Sequence, residues 1–299
     1  MPYQLEKFKN GQTSLSEVGL KEPMHSWIGP WEEANLIYIG QSRLQERLAL
    51  ASPHPLVVWD VGLGIGANAI ALLQATFNLN PARSLHLLSF EKDLRGLSFA
   101  LEHREHFPFL NPFTASLQAI SKGCRELQLG PKVLWQIVPG DFAQILIPPS
   151  DPKDQPVPPH SLGTLPRPEL IYYDFFSPQS LPSLWSLQMF RTLFEKTQLQ
   201  THSPFPTELI TYSCATAVRS ALILAGFYVG AGVKTPAKKE TTVASTSAQG
   251  LTQPLDPSWV EHLKRSSKPL PLDHGFKTED QAILKIKERL LEPHLPVLD

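Results

Sequence analysis

Residues 58–66 read Val-Trp-Asp-Val-Gly-Leu-Gly-Ile-Gly, and Ala67-Asn68-Ala69-Ile70-Ala71-Leu72-Leu73 follow at once. An apolar run, a carboxylate, three glycines at alternate positions and a helix-forming segment make a strand, a tight turn and a helix. Gly62, Gly64 and Gly66 supply the positive φ that such a turn needs, and without Cβ they let the backbone approach a ligand closely. Backbone NH groups and a helix N-terminus then face whatever is bound. A dinucleotide fingerprint, Gly-x-Gly-x-x-Gly, needs its third glycine at position 67, where the chain has Ala67. NAD-type binding and a turn without a ligand therefore stand as alternatives to a different nucleotide-like ligand.

Carboxylates recur where apolar runs end: Asp60, Glu91, Asp141 and Asp174. Each alone is commonly a helix cap. On one rim of a sheet they would attract a cation and repel a pyrophosphate. Glu91 follows the turn at the distance where an acidic residue accepts from the ribose hydroxyls of a nucleotide. Asp141 is placed to accept from an adenine amino group. Asp60 either buttresses the glycine turn or meets an ammonium.

The elements that must position these groups alternate. Strands are expected at 56–59, 84–90, 133–138, 169–173 and 208–212, and helices from 67, at 94–107, 184–197 and 215–225. Gly226 is a C-cap, and 227–229 with 240–245 form a closing hairpin. Alternation through five strands predicts an α/β fold, a doubly wound Rossmann-like sheet, mostly parallel with an antiparallel C-terminal hairpin. Ligands in such sheets bind at the carboxyl ends of the strands. Eight of the 29 prolines lie between Pro148 and Pro168, so 148–168 reads as a surface insertion. Loose segments are expected at 197–207 and at 244–257, the latter a link to a C-terminal extension over 250–299.

The chain has 299 residues, 42% of them hydrophobic, and a formal net charge of -1. That is enough for a large core, and no global basic field advertises nucleic acid. Cys124 and Cys214 lack metal or disulfide spacing, and no His clusters with Cys, Asp or Glu, so no metal is expected. With no apolar leader and no run of 18 apolar residues, a cytoplasmic protein without membrane contact is expected.

The spacing Asp-x-Gly-x-Gly-x-Gly resembles motif I of class I S-adenosylmethionine-dependent methyltransferases. Longer stretches resemble the methyltransferase domain of the MnmC family, including stand-alone relatives without the flavin oxidase domain. They are Met24-His25-Ser26 with Gly29 and Glu33-Ala34, Asp60 to Asn68, and Phe90-Glu91-Lys92-Asp93. Further on come Asp174-Phe175-Phe176-Ser177-Pro178 with Leu184-Trp185, Thr211-Tyr212-Ser213, Val218-Arg219 and Lys238-Lys239-Glu240. The Asp-x-Phe-Ser-Pro segment is the most specific of these. The resemblance runs from about residue 8 to 245.

It implies a methyltransferase core over 51–249, with residues 1–50 folded over the cofactor. It implies methyl transfer from S-adenosyl-L-methionine to the exocyclic amine of 5-aminomethyl-2-thiouridine at the tRNA wobble position. Asp60, Gly62, Gly64, Gly66, Asn68, Glu91 and Asp141 would hold the cofactor. Asp174 would hold the amine and accept its proton. His25, Phe175, Phe176, Ser177, Pro178 and Tyr212 would line the substrate site, with one phenylalanine stacked on the uracil and the other in the core. Arg219, Lys238 and Lys239, with Lys234, would meet phosphates around the anticodon. No second glycine fingerprint for FAD occurs, so a separate FAD oxidase would supply the amine. The competing functions are a small-molecule amine methyltransferase, an NAD-dependent oxidoreductase and a non-catalytic scaffold.

Overall fold

The computed structural model describes residues 2–20, 22–147, 165–197 and 203–292. It opens with an antiparallel hairpin of β1 (Tyr3–Lys7) and β2 (Thr13–Glu17). Next come α1 (Pro30–Glu33), a π-helical stretch at Ala34–Ile39, α2 (Leu44–Ala49) and β3 (Leu56–Val61). They are followed by α3 (Ala67–Leu79), β4 (Leu85–Glu91), α4 (Arg95–Glu102) and α5 (Thr114–Ser121). After β5 (Glu126–Leu129), β6 (Val133–Pro139) and α6 (Phe142–Leu146), most of the proline-rich insertion lies outside the described residues. The chain resumes with β7 (Leu170–Tyr173), α7 (Leu187–Thr197), β8 (Glu208–Thr211) and α8 (Thr216–Ala225). It closes with β9 (Tyr228–Ala231), β10 (Thr242–Ser245), α9 (Val260–Arg265) and α10 (Glu279–Leu291).

Eight strands form the main sheet in the order β5-β6-β4-β3-β7-β8-β10-β9. The five strands from β6 to β8 are parallel. β10 enters between β8 and β9 and runs antiparallel to both. These are the parallel strands and closing hairpin expected from the sequence. β5 was not expected: Glu126-Leu127-Gln128-Leu129 is half polar and lies antiparallel to β6 at the sheet edge.

Every residue of β3 is buried, as a strand covered on both faces requires. Leu56, Val58 and Tyr172 pack with α2, α3 and α5 on one face, and Val57, Trp59 and Ile171 with α7 and α8 on the other. Trp259, Val260, Leu263, Ala282 and Ile286 join that second core, so α9 and α10 complete a layer of the sheet.

Several boundaries differ from the sequence reading, three of them with a consequence for the fold or the site. β3 runs on to Val61, which puts Asp60 inside the strand. The helix expected over 94–107 stops at Glu102, and 3-10 turns at Arg104–His106 and Pro108–Phe113 replace its end, because Pro108 and Pro112 lack the NH a helix needs. The link expected from 244 begins only after Ser245, since Ala244 and Ser245 pair in β10.

Polar groups at the amino ends of the strands satisfy one another. Arg47 reaches Glu208 at 2.9 Å and Glu169 at 3.6 Å, and Arg83 also binds Glu169. All four side chains are almost inaccessible. Truncating Leu263 to Ala should cost about 2–4 kcal/mol in urea unfolding, as for other core leucines. A loss below about 0.5 kcal/mol, the size of a surface substitution, would show that the C-terminal helices are a detachable appendage.

Candidate active site

Gly62, Gly64 and Gly66 have φ of 91°, 55° and 87°, which explains glycine at all three positions. Gly62 has a second reason: a Cβ there would lie 2.7 Å from the carbonyl oxygen of Asp174. Parallel pairing of Val61 with Tyr173 brings the two chain ends side by side, and the Asp174 NH donates to Val61 O at 3.1 Å. At Gly64 a Cβ would meet nothing closer than 4.0 Å, so a side chain there would occupy open cavity. Gly66 caps α3 and packs on Ile70 and Leu117, away from the cavity it was expected to line.

The cavity lies above the carboxyl ends of β3, β4, β6 and β7. Gly62, Gly64, Asn68, Glu91, Asp141, Asp174, Phe175 and Phe176 line it, with His25 across from them. The N-terminal segment roofs it through Tyr3, Glu17, Met24 and His25, and the Tyr3 hydroxyl donates to Asp93 at 3.3 Å. Glu91 accepts from the NH of Gly64 at 3.0 Å and of Asp93 at 2.9 Å. Burial pushes its pKa up, while those NH groups and that of Lys92 pull it back. Asp141 is exposed and caps α6, Oδ1 accepting from Ala143 NH at 2.8 Å. It therefore has the ordinary capping role and a place on the cavity wall together.

Asp60 is a correction. It does not line the cavity and is wholly inaccessible. Ser89 Oγ donates to its Oδ2 at 2.8 Å, and Oδ1 has no hydrogen-bond partner among the described residues. Burial pushes its pKa up to about 8, against the Ser89 hydrogen bond and with help from Asp174 and Glu91. It buttresses β3 against β4 and does not reach a ligand's ammonium. The acidic rim is therefore Glu91, Asp141 and Asp174, joined by Glu17 and Asp93.

Asp174 is half-buried on that rim. Asn68 Nδ2 donates to its Oδ2 at 2.7 Å. Burial raises its pKa, His25, the nearby Tyr38 hydroxyl and the Asn68 hydrogen bond lower it, and Glu33 raises it. Phe175 sits among the rings of Phe142, at 5.7 Å, and Tyr173, at 5.3 Å. Phe176 faces the cavity, its carbonyl held by Trp185 Nε1 at 2.9 Å. Ser177 and Pro178 stay outside the cavity, and the Ser177 NH donates to Glu22 at 2.8 Å, tying the roof to this loop. Tyr212 also lies outside and donates to Phe175 O at 2.9 Å. His25 is oriented by Ser14: its NH donates to Ser14 Oγ at 3.0 Å, and Nδ1 lies 3.4 Å from the same oxygen.

Of the basic residues, Lys239 is exposed, and Lys238 Nζ lies 4.5 Å over the Tyr212 ring. Arg219 is withdrawn from the surface. It is 2% exposed and binds Thr242 Oγ1, Glu240 and Thr241 O at 2.8–3.0 Å, which fastens α8 to the loop before β10. It cannot meet a phosphate. The sequence reading missed Tyr3, Glu17, Lys92 and Asp93 on the cavity wall, and Glu22, Glu33 and Tyr38 behind it. Lys92 and Asp93 had a signal as neighbours of Glu91, and Glu33 had one in the Glu33-Ala34 stretch. Among the described residues no three His, Cys, Asp or Glu gather as a metal site, and no helix is long and apolar enough to cross a membrane.

Asp60 sets a pH signature. Its folded pKa is raised, so its contribution to stability is complete below the unfolded value of 3.8 and is lost as pH rises towards 8. Asp60→Asn should gain on the wild type by about 1.4 kcal/mol per pH unit across that window and then level off. A pH-independent difference in chemical denaturation would contradict it. Gly62→Ala should cost about 1–3 kcal/mol for its left-handed φ alone. A melt unchanged from wild type would show that the contact with Asp174 relaxes freely.

Residues 108–247 match the model of a family described as S-adenosyl-L-methionine-dependent methyltransferase. Among solved structures the chain is similar to MnmC2 from Aquifex aeolicus, with a TM-score of 0.66 and 21% identity over 97% of this chain and 84% of that one. The rRNA methyltransferase AviRa from Streptomyces viridochromogenes aligns at 14% identity over 69% of this chain and 82% of its own, with a TM-score of 0.35. The first likeness gives the same fold along nearly the whole chain. The family description agrees with a cavity walled by a glycine turn and by carboxylates that suit a cation. Over residues 108–247, somewhat under half of its length, the chain is similar to the S-adenosyl-L-methionine-dependent methyltransferase family.

Proposed function

We propose that the chain methylates the exocyclic amine of 5-aminomethyl-2-thiouridine at the wobble position of tRNA. The observation that carries the reading is the place of Asp174: a half-buried carboxylate on the cavity wall, against the glycine turn. S-adenosyl-L-methionine, when bound, supplies a methyl carbon on a cationic sulfur that departs as a neutral thioether. Gly62, Gly64, Asn68, Glu91 and Asp141 would hold it, with Glu91 at the ribose and Asp141 at the adenine. Gly66 supports this set by seating α3 and Asp60 by bracing the strand.

The protein's own task is alignment and proton removal. An alkylammonium must lose a proton before its nitrogen can attack, and nitrogen, carbon and sulfur must stand in line. Asp174 would hold the amine and take that proton. Its burial, which raises its proton affinity, supports the role. Phe176 is the ring suited to stack on the uracil, since Phe175 is committed to its aromatic neighbours. His25 would close the site from above.

The acceptor itself rests on the resemblance of Asp174-Phe175-Phe176-Ser177-Pro178 and its flanking segments to the MnmC methyltransferase domain. Lys234, Lys238 and Lys239 would meet anticodon-region phosphates. A separate FAD oxidase would supply the amine, since the resemblance covers the methylation step only. Labelled S-adenosyl-L-methionine should transfer its methyl to undermodified tRNA, and Asp174→Asn should lower the rate by about 10²–10⁴-fold, the usual worth of a positioned base. Cofactor affinity should change little. Label appearing only in a small-molecule amine would overturn the tRNA assignment. Full turnover by Asp174→Asn would overturn the role of the carboxylate.

A further inference from the structure

One buried polar side chain beside the site has no task in that chemistry. Tyr38 is 1% exposed and belongs to the π-helical stretch Ala34–Ile39, which packs between α3 and β8. Its ring lies 5.3 Å from that of Tyr172 on β7, two residues before Asp174, which follows the strand's end. Its hydroxyl has no hydrogen-bond partner among the described residues, and after burial the Asp174 carboxyl is what most raises its pKa. A buried hydroxyl left in that state costs about 1–3 kcal/mol. Phenylalanine would fill the same space without that cost.

The backbone is arranged to keep it there. Gly40 NH reaches back five residues to Asn35 O at 2.8 Å, and relative to an α-helix the extra residue rotates the side chains that follow by about 100°. Gln41 holds the end of the stretch, its Nε2 donating to Ile37 O at 2.7 Å and its Oε1 accepting from Val233 NH at 2.8 Å. Asn68, from α3, already occupies Asp174 Oδ2. Tyr38, against Tyr172, and Asn68, on Asp174, thus stand on one face of the sheet at the end of β7.

We propose that Tyr38 is a positioning residue for methyl transfer, its hydroxyl donating to ionised Asp174 and holding that carboxylate ready for the amine's proton. The inference rests on the proton-accepting role of Asp174 proposed above. The other groups that face Asp174 are His25 from the roof, Glu33 from α1, Asp60 from β3 and Tyr212 at the end of β8. Tyr38 itself faces Glu33 and Tyr212 besides Asp174. A donor to the ionised form lowers proton affinity, so loss of the hydroxyl raises it.

The test is Tyr38→Phe, read by carbon-13 carboxyl NMR titration of Asp174 and by the pH profile of methyl transfer to undermodified tRNA. The Asp174 titration and the acidic limb of kcat should both move to higher pH by about one unit, a tenfold change in proton affinity. The rate should recover at alkaline pH and cofactor affinity should hold. A 3-fluorotyrosine at position 38, a stronger donor of nearly the same shape, should move both the other way. Titration and profile unmoved in both variants would overturn the inference, because a hydroxyl that only fills space shifts neither. If Asp174→Asn keeps full turnover, the underlying reading fails. If it loses turnover while Tyr38→Phe leaves the profile in place, only the role of Tyr38 fails.

Discussion

The contact between Gly62 and the backbone of Asp174 is the constraint on which the site depends. A Cβ at residue 62 would lie 2.7 Å from the Asp174 carbonyl, so the end of β7 can close on the glycine turn only because that side chain is missing. The approach puts two chemical poles in one cavity: the turn with Glu91 on one side, Asp174 with its phenylalanines on the other. Asn68 makes the same link through side chains, from the first turn of α3 to Asp174 Oδ2. Widening this contact would separate the poles, and in-line transfer loses rate steeply with misplacement.

The two ends of the parallel sheet divide the labour. At the amino ends, Arg47, Arg83, Glu169 and Glu208 bury their charges against one another. At the carboxyl ends Asp60, Glu91 and Asp174 are all pushed towards the protonated form by burial. Clustering carboxylates in an enclosed space is unfavourable without a cation. A sulfonium and an alkylammonium each provide one, which fits the cofactor of the family matched over residues 108–247 and the amine acceptor proposed here.

Much of this was legible in the sequence where local chemistry decides. The apolar runs marked the five parallel strands, the spacing of Gly62, Gly64 and Gly66 marked the turn, and Gly226 marked a C-cap that has φ of 116°. Features set by tertiary partners were not legible. Asp60 looked like a strand end because it is charged, but the first left-handed residue is Gly62, so β3 continues beneath it. Arg219 looked like a phosphate ligand, yet its partners on Glu240, Thr241 and Thr242 come together only when β10 enters the sheet. Tyr38 owes its position to a π turn that no residue propensity encodes. Ser177 and Pro178, taken from the motif as wall residues, instead shape the loop that Glu22 pins.

The central claim is that the Gly62–Glu91 pole holds the methyl donor and the Asp174 pole faces its sulfur. A crystal structure of the protein with S-adenosylhomocysteine tests it most directly. The account predicts the ribose hydroxyls on Glu91 and the sulfur turned into the space beside Asp174 and Phe176. A ligand seated with its sulfur facing away from Asp174, or in another part of the molecule, would contradict it.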